Sequence, residues 1–234
     1  MLFEGLRETL LIAGIAPRHV RRYLRELDDH LADLTEAQRA AGHDEEEAAL
    51  RARALLGGDT ELAAAMLAQP GLKSLPARAP WLFFGPLPVL AIFAGFFIAG
   101  LPLVLIARVH GWMGHDHMAA PGWFQSLAYI TALFANLALG PGLAALLAAA
   151  AWHQRLDWKW PVLAIAILAL IGMHMTAHFP PPGQRGGEIG IALIGEAWYL
   201  APHPAPEASI LLAQFVLTLA PAFWLLRKRR LRSA

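Results

Sequence analysis

Between Trp81 and Ala107 the chain reads WLFFGPLPVLAIFAGFFIAGLPLVLIA, 27 residues without one charged side chain. A hydrocarbon core about 30 Å thick needs roughly 20 apolar residues in a helix. The run therefore predicts a transmembrane helix with length to spare for tilt. Composition changes across it. Residues 1–80 carry ten Lys/Arg and thirteen Asp/Glu, whereas residues 81–234 carry nine Lys/Arg and five Asp/Glu. A polar, slightly acidic module thus precedes an apolar segment with a basic tail, and the fold class is all-α: a small helical bundle followed by a four-helix transmembrane bundle. No cysteine is present, which excludes disulfides, thiolate metal sites and cysteine nucleophiles. Glu4 and Glu8 precede the first short apolar patch where a signal peptide would be basic, so the N-terminus is expected in the cytoplasm.

Residues 1–70 read as four short helices. Phe3, Leu6 and Leu10 share a face of the first, which Gly14 ends. The second starts at Pro17, suited to a first turn because its missing N–H has no partner there. Val20, Tyr23, Leu24, Leu27, Leu31 and Leu34 form its apolar stripe, and Gly42 suits its closing residue. Asp44 and Glu47 have capping-box spacing for a third helix, with Ala48, Ala52 and Leu55 inward. Gly57-Gly58 stops it. Asp59 is expected to cap the fourth, with Leu62, Ala65 and Met66 inward. So small a core favours docking or dimerisation.

The run RRYLRELDDHLADLTEAQRAAGHDEEEAALRARALLGGDTELAAAM resembles the HAAS-type signalling domain, also called a permease prefix domain. The matching positions are Tyr23, Leu24, Glu26, Leu27, His30, Leu31, Glu45–Ala48, Ala52, Leu56, Gly57 and Asp59. Such domains precede membrane spans in bacteria, often beside PadR-like transcription regulators. The resemblance implies a signalling or regulatory role, a protein partner for the module, and no catalytic residues. Arg18, Arg21, Arg22 and Arg25 read as a solvated face rather than a nucleic-acid surface, because the module is net acidic and nucleic-acid binders carry a basic surplus. Contact with anionic headgroups is the other use of these arginines.

Residues 71–80 read as a short, stiff, proline-bearing linker. Spans are then predicted at 81–107, 124–151, 160–179 and 208–226, with residues 227–234 as a basic tail. Lys73, Arg78, Arg155, Lys159 and the five basic residues of 227–232 would lie on one side, and only Arg108 and Arg185 on the other. Lysine and arginine stay cytoplasmic, so both termini are expected inside a bacterial inner membrane. All eight tryptophans fall near predicted span ends, the depth that amphipathic rings favour. Residues 188–200 are expected to form an interfacial helix on the outer surface, with a re-entrant segment as the alternative.

Ala91, Gly95 and Ala99 stand four apart, a small-residue ridge for close helix approach and a possible homo-oligomer face. Asn136 and Gln214 lie within predicted spans, where amides pair across helices. Six of the seven histidines after residue 80 would face outward. His174 and His178, on the third predicted span, lie one turn apart and share a helix face, and His115, Asp116 and His117 could close over them. Imidazole and carboxylate, with methionines nearby, suit copper or zinc. Outer-face metal handling is therefore one alternative function, and a subunit of a larger membrane complex docking through the small-residue ridge is the other; no catalytic residue and no established cofactor emerges. The string HMTAH lacks the glutamate of a zinc-protease HExxH helix, and no second span offers histidines for a transmembrane haem. The partners expected are the lipid bilayer and other protein, not nucleic acid.

Overall fold

The computed structural model describes residues 3–113, 119–179, 187–193 and 205–233. The fold is all-α apart from one two-stranded sheet. The chain divides into two units, residues 1–80 with 151–156, and residues 81–150 with 157–234.

In the first unit, α1 (Glu4–Ile12), α2 (Pro17–Ala40), α3 (Glu45–Leu56) and α4 (Asp59–Leu67) surround one core. Phe3, Leu6, Leu10, Leu11, Ile15, Val20, Leu27, Ala63 and Met66 are buried in it, with Tyr23, Leu24, Leu31, Leu56 and Leu62 packed against it. The stripe read along α2 is therefore the packed face. Two short helices rotate from expectation: Leu55 is 63% exposed while Leu56 packs inward, and Ala63 replaces Ala65 in the core. Both helices are short and alanine-rich, so several rotations fit the sequence.

The caps are specific. Asp44 accepts from the Glu47 N–H at 2.8 Å. Glu47 does not reach back to complete the box; its carboxylate pairs with Arg51 at 2.7 Å and His43 at 3.3 Å. The Arg51 hydrogen bond and charge hold it below the usual carboxylate range. For α4, Gly58 takes the cap position and donates to Glu61 at 3.2 Å. Asp59 instead pairs with Arg53 at 2.5 Å, whose guanidinium lies 5.1 Å from the Phe3 ring centroid. The Tyr23 hydroxyl donates to the Leu62 carbonyl at 3.1 Å, and burial raises its pKa.

The segment expected as a free-standing linker is part of this unit. Ala16 N–H donates to the Leu72 carbonyl and Ser74 N–H to the Gly14 carbonyl, both at 2.9 Å. Ser74 and Pro76 are buried. Gly14 has φ +86°, and a Cβ there would lie 2.6 Å from the Ala77 Cβ, so only glycine allows this return. Residues 151–156 also belong to this unit. Arg155 pairs with Glu8 at 2.6 Å and lies over Trp152, from a left-handed backbone at φ 54°. Non-glycine residues adopt that region rarely, and usually under tertiary constraint.

α5 (Leu75–Arg78) closes the first unit, and the second runs from α6 (Pro80–Phe84) through α7 (Pro86–Val109), α8 (Gly122–His153), α9 (Lys159–Ile171) and α10 (Ala205–Ser233). Three helices, Pro80–Val109, Gly122–His153 and Ser209–Lys228, are long and apolar enough to cross a membrane. Their outer surfaces are apolar too: Leu90, Phe97 and Ile98 on α7, Ile130 and Phe134 on α8, and Leu212 and Phe223 on α10 are all exposed. Helices that are apolar all round suit lipid as solvent. This is a helical membrane protein.

The buried face of α7 is Pro88, Ile92, Phe96, Gly100, Leu103 and Ala107. The predicted ridge lies at its margin: Ala91 is exposed, Gly95 and Ala99 are half-buried. Gly95 stands close to α8, where a Cβ would touch Leu139 at 3.4 Å. Gly140 serves the same end on α8, since a Cβ there would stand 3.1 Å from Thr218 Oγ1 on α10. The helix continues through Pro141.

The predicted third span is corrected. α9 stops at Ile171, 13 residues and so about 20 Å long. Gly172 follows in the left-handed conformation, the usual helix-ending geometry. The chain then forms β1 (His174–His178), antiparallel to β2 (Glu188–Ala192). Residues 188–192 are therefore strand, not the first turns of an interfacial helix; residues 194–200 lie outside the described residues.

Candidate functional site

An interrupted helix inside an apolar bundle creates a physical problem. Its last carbonyls and the following backbone lose their intrahelical partners, and lipid supplies none. The two amides at Asn136 and Gln214 answer it. Asn136, near the middle of α8, donates through Nδ2 to the Met175 carbonyl at 3.0 Å and accepts through Oδ1 from the Met175 N–H at 2.8 Å. Gln214, on α10, donates to the Met173 carbonyl at 2.6 Å. Thr218 donates to the Gln214 carbonyl at 2.7 Å. All three side chains are buried. The expected helix-to-helix pairing becomes something more specific: side chains of two long helices hold the backbone at the break.

Strand geometry explains why Met175 is the residue held. It lies opposite Ile191, and alternate residues of an antiparallel pair turn both backbone groups away from the partner strand. Asn136 occupies that open edge as a third strand would. The Met175 side chain packs the other way, against Gly100 of α7 with Ile191 beside it.

Beside the clamp is a cavity of about 120 Å³, lined by Tyr129, Leu133, Asn136, His174, Thr176 and His178 among others. His174 is 7% exposed; Thr176 and His178 are exposed. The cavity combines two imidazoles, two hydroxyls and an amide with apolar walls, room for a ligand of a few heavy atoms. Non-helical backbone at membrane depth is likewise tolerated where it lines a cavity.

The metal grouping loses its geometric premise. His174 and His178 are four residues apart in a strand, about 13 Å along it, not one helical turn, and one is buried while the other is exposed. His115, Asp116 and His117 lie outside the described residues. Among the described residues no group of three or more His, Asp or Glu side chains could hold a metal ion. Beyond the cavity, Trp112, Phe124 and Phe179 form an aromatic cluster, with Trp112 and Phe124 centroids 4.9 Å apart and Phe124 and Phe179 5.5 Å apart. Gly187 N–H donates to the Trp112 carbonyl at 2.8 Å.

Sequence reasoning found the amides but missed Tyr129, Thr176 and the backbone of Met173 and Met175. A usable signal was present: Gly172 follows an apolar run only 12 residues long, and a β-branched residue sits within His-Met-Thr-Ala-His. No known protein family, characterised protein or solved structure matches this chain.

Proposed function

We propose that this is a bacterial inner-membrane regulatory protein in which a HAAS-like helical module responds to an event at the interrupted helix. In this reading α9 and the strands after it complete a fourth crossing, and both termini are cytoplasmic. The lysine and arginine distribution supports that orientation. The observation that carries the mechanism is the amide clamp. Asn136 and Gln214 fix the break through three hydrogen bonds, beside a cavity able to take a small polar ligand. A ligand or bilayer change that competes for the Met173 and Met175 backbone would release α8 and α10 from it. Two discrete arrangements of such a network are what a switch requires. α8 ends at His153, two residues before the Arg155 that pairs with Glu8 of α1.

The module's partner would be protein. The test compares cells carrying the full chain with cells carrying a chain lacking residues 1–70, and full chain with Asn136→Leu. The proposal expects both changes to alter the regulated phenotype and the proteins captured with the chain. An unchanged phenotype and unchanged partners for both would sink it. The outward excess of histidines that motivated metal handling is not matched by a pair on one helical turn, because His174 and His178 lie on β1.

A further inference from the structure

The charged face of α2 is ordered in a way that amphipathicity does not explain. Arg18, Arg21 and Arg25 stand nine, six and two residues before Leu27; Glu36, Asp33 and Asp29 stand nine, six and two residues after it. At 3.6 residues per turn these six positions fall within an arc of about 120°, opposite the packed stripe of Val20, Leu27 and Leu31. All six are exposed, and among the described residues none of them makes an ion pair.

Within one copy this order is unfavourable. Like charges meet at i,i+3 or i,i+4 in Arg18–Arg21, Arg21–Arg25, Asp29–Asp33 and Asp33–Glu36, each a destabilising spacing. The first turn holds Arg18 and no acidic residue, the reverse of what the helix dipole favours. A solvated face selected for helix stability would interleave the signs.

We propose that α2 is the contact surface of a homodimer. Two copies pair antiparallel about a two-fold axis at Leu27, with Arg18, Arg21 and Arg25 of each facing Glu36, Asp33 and Asp29 of the other. A two-fold interface must be complementary to itself, and a charge order that inverts about one residue meets that condition. Anionic lipid or an acidic partner would engage only the arginine half and be repelled by the acidic half; a second copy engages both. Arg22 does not compete, since it already pairs with Glu26 at 2.7 Å. Six exposed ion pairs together account for about a 30-fold gain in association. That is weak in solution but effective between chains confined to one membrane, where local concentration is high. The inference goes beyond the regulatory reading and stands or falls separately from it.

The test uses energy transfer between labelled full-length copies in phosphatidylcholine vesicles, comparing the unaltered chain with two variants. Arg21→Asp with Arg25→Asp leaves Arg18 as the one basic residue of the face; Asp29→Arg with Asp33→Arg leaves Glu36 as the one acidic residue. Each variant alone should lose association by tenfold or more, and a mixture of the two, which restores all six opposed pairs, should associate about as tightly as the unaltered chain. Association should also fall severalfold in 0.5 M salt, where exposed charges are screened. Rescue in the mixture shows that both variants are folded. Transfer that is the same in all samples, absent from the mixture, or retained by the basic variant alone would overturn the proposal.

Discussion

Replacing Asn136 with leucine tests the clamp directly. The two side chains branch alike, so the change removes a donor and an acceptor while the bulkier methyl groups expand into the adjoining cavity. It strands the Met175 N–H and C=O, which Asn136 now satisfies at 2.8 and 3.0 Å. Met175 is 2% exposed and Asn136 6%, so only water in the adjoining cavity could replace the amide. A buried polar group left without its partner costs about 1–3 kcal/mol, which gives about 2–6 kcal/mol for two. Hydrogen bonds inside membrane proteins measure low in that range, because the unfolded chain in the bilayer finds other partners. The expected loss is therefore about 2–4 kcal/mol. It can be read from reversible unfolding in mixed micelles of increasing denaturing detergent, and the β1–β2 amides should exchange faster with deuterium. Thr131→Val on the same helix is the control: its hydroxyl bonds only the Leu127 carbonyl and is exposed, so the cost should stay below about 0.5 kcal/mol. If Asn136→Leu proved as mild as Thr131→Val, the amide would not be what holds the break.

Three further outcomes concern the first unit. Gly14→Ala should destabilise it by about 2 kcal/mol or more, from left-handed strain and the clash with Ala77, seen as faster proteolysis near residue 74; unchanged proteolysis would refute the return of that segment. Tyr23→Phe should cost about 0.5–1.5 kcal/mol for the bond to Leu62, with faster deuterium exchange at the amides of α4 as the readout. Because the folded state holds the Glu47 carboxylate below its ordinary value, its contribution should be complete above the unfolded carboxylate pKa of about 4.3 and vanish as pH falls through the lowered value. Thermal unfolding of the unaltered chain and of Glu47→Gln should therefore differ near neutral pH and converge in acid; a difference that grew in acid would contradict the sign.

What the sequence made legible follows from how local each signal is. The α2 stripe, the Asp44 cap and the glycine stop at Gly14 depend on neighbours within a turn or two, and the structure has all three. Apolar length made three membrane-crossing helices readable. The third predicted span failed because hydropathy measures apolar content, not backbone geometry: GMHMTAHF is as apolar as a helix end, yet its backbone is paired with β2 and with Asn136. The Arg155–Glu8 pair joins residues 147 apart in sequence, and no periodicity reports such a contact. Residues 71–80 looked like linker because their prolines suit one; the bonds of Leu72 and Ser74 to Ala16 and Gly14 are backbone interactions that residue types do not encode. For the site, residue type picked out Asn136 and Gln214 as unusual at their depth, while what they hold required the fold.

The most direct test of the whole account is the side of the membrane on which each end lies. Single cysteines placed at the N-terminus and after Ala234 of this otherwise cysteine-free chain can be challenged with a membrane-impermeant thiol reagent in intact cells and again after lysis. Four crossings, with α9 and its strands completing the third, predict that both thiols are protected in intact cells and react only on lysis. A C-terminal thiol that reacts in intact cells would mean three crossings, and the interrupted helix would not traverse the membrane.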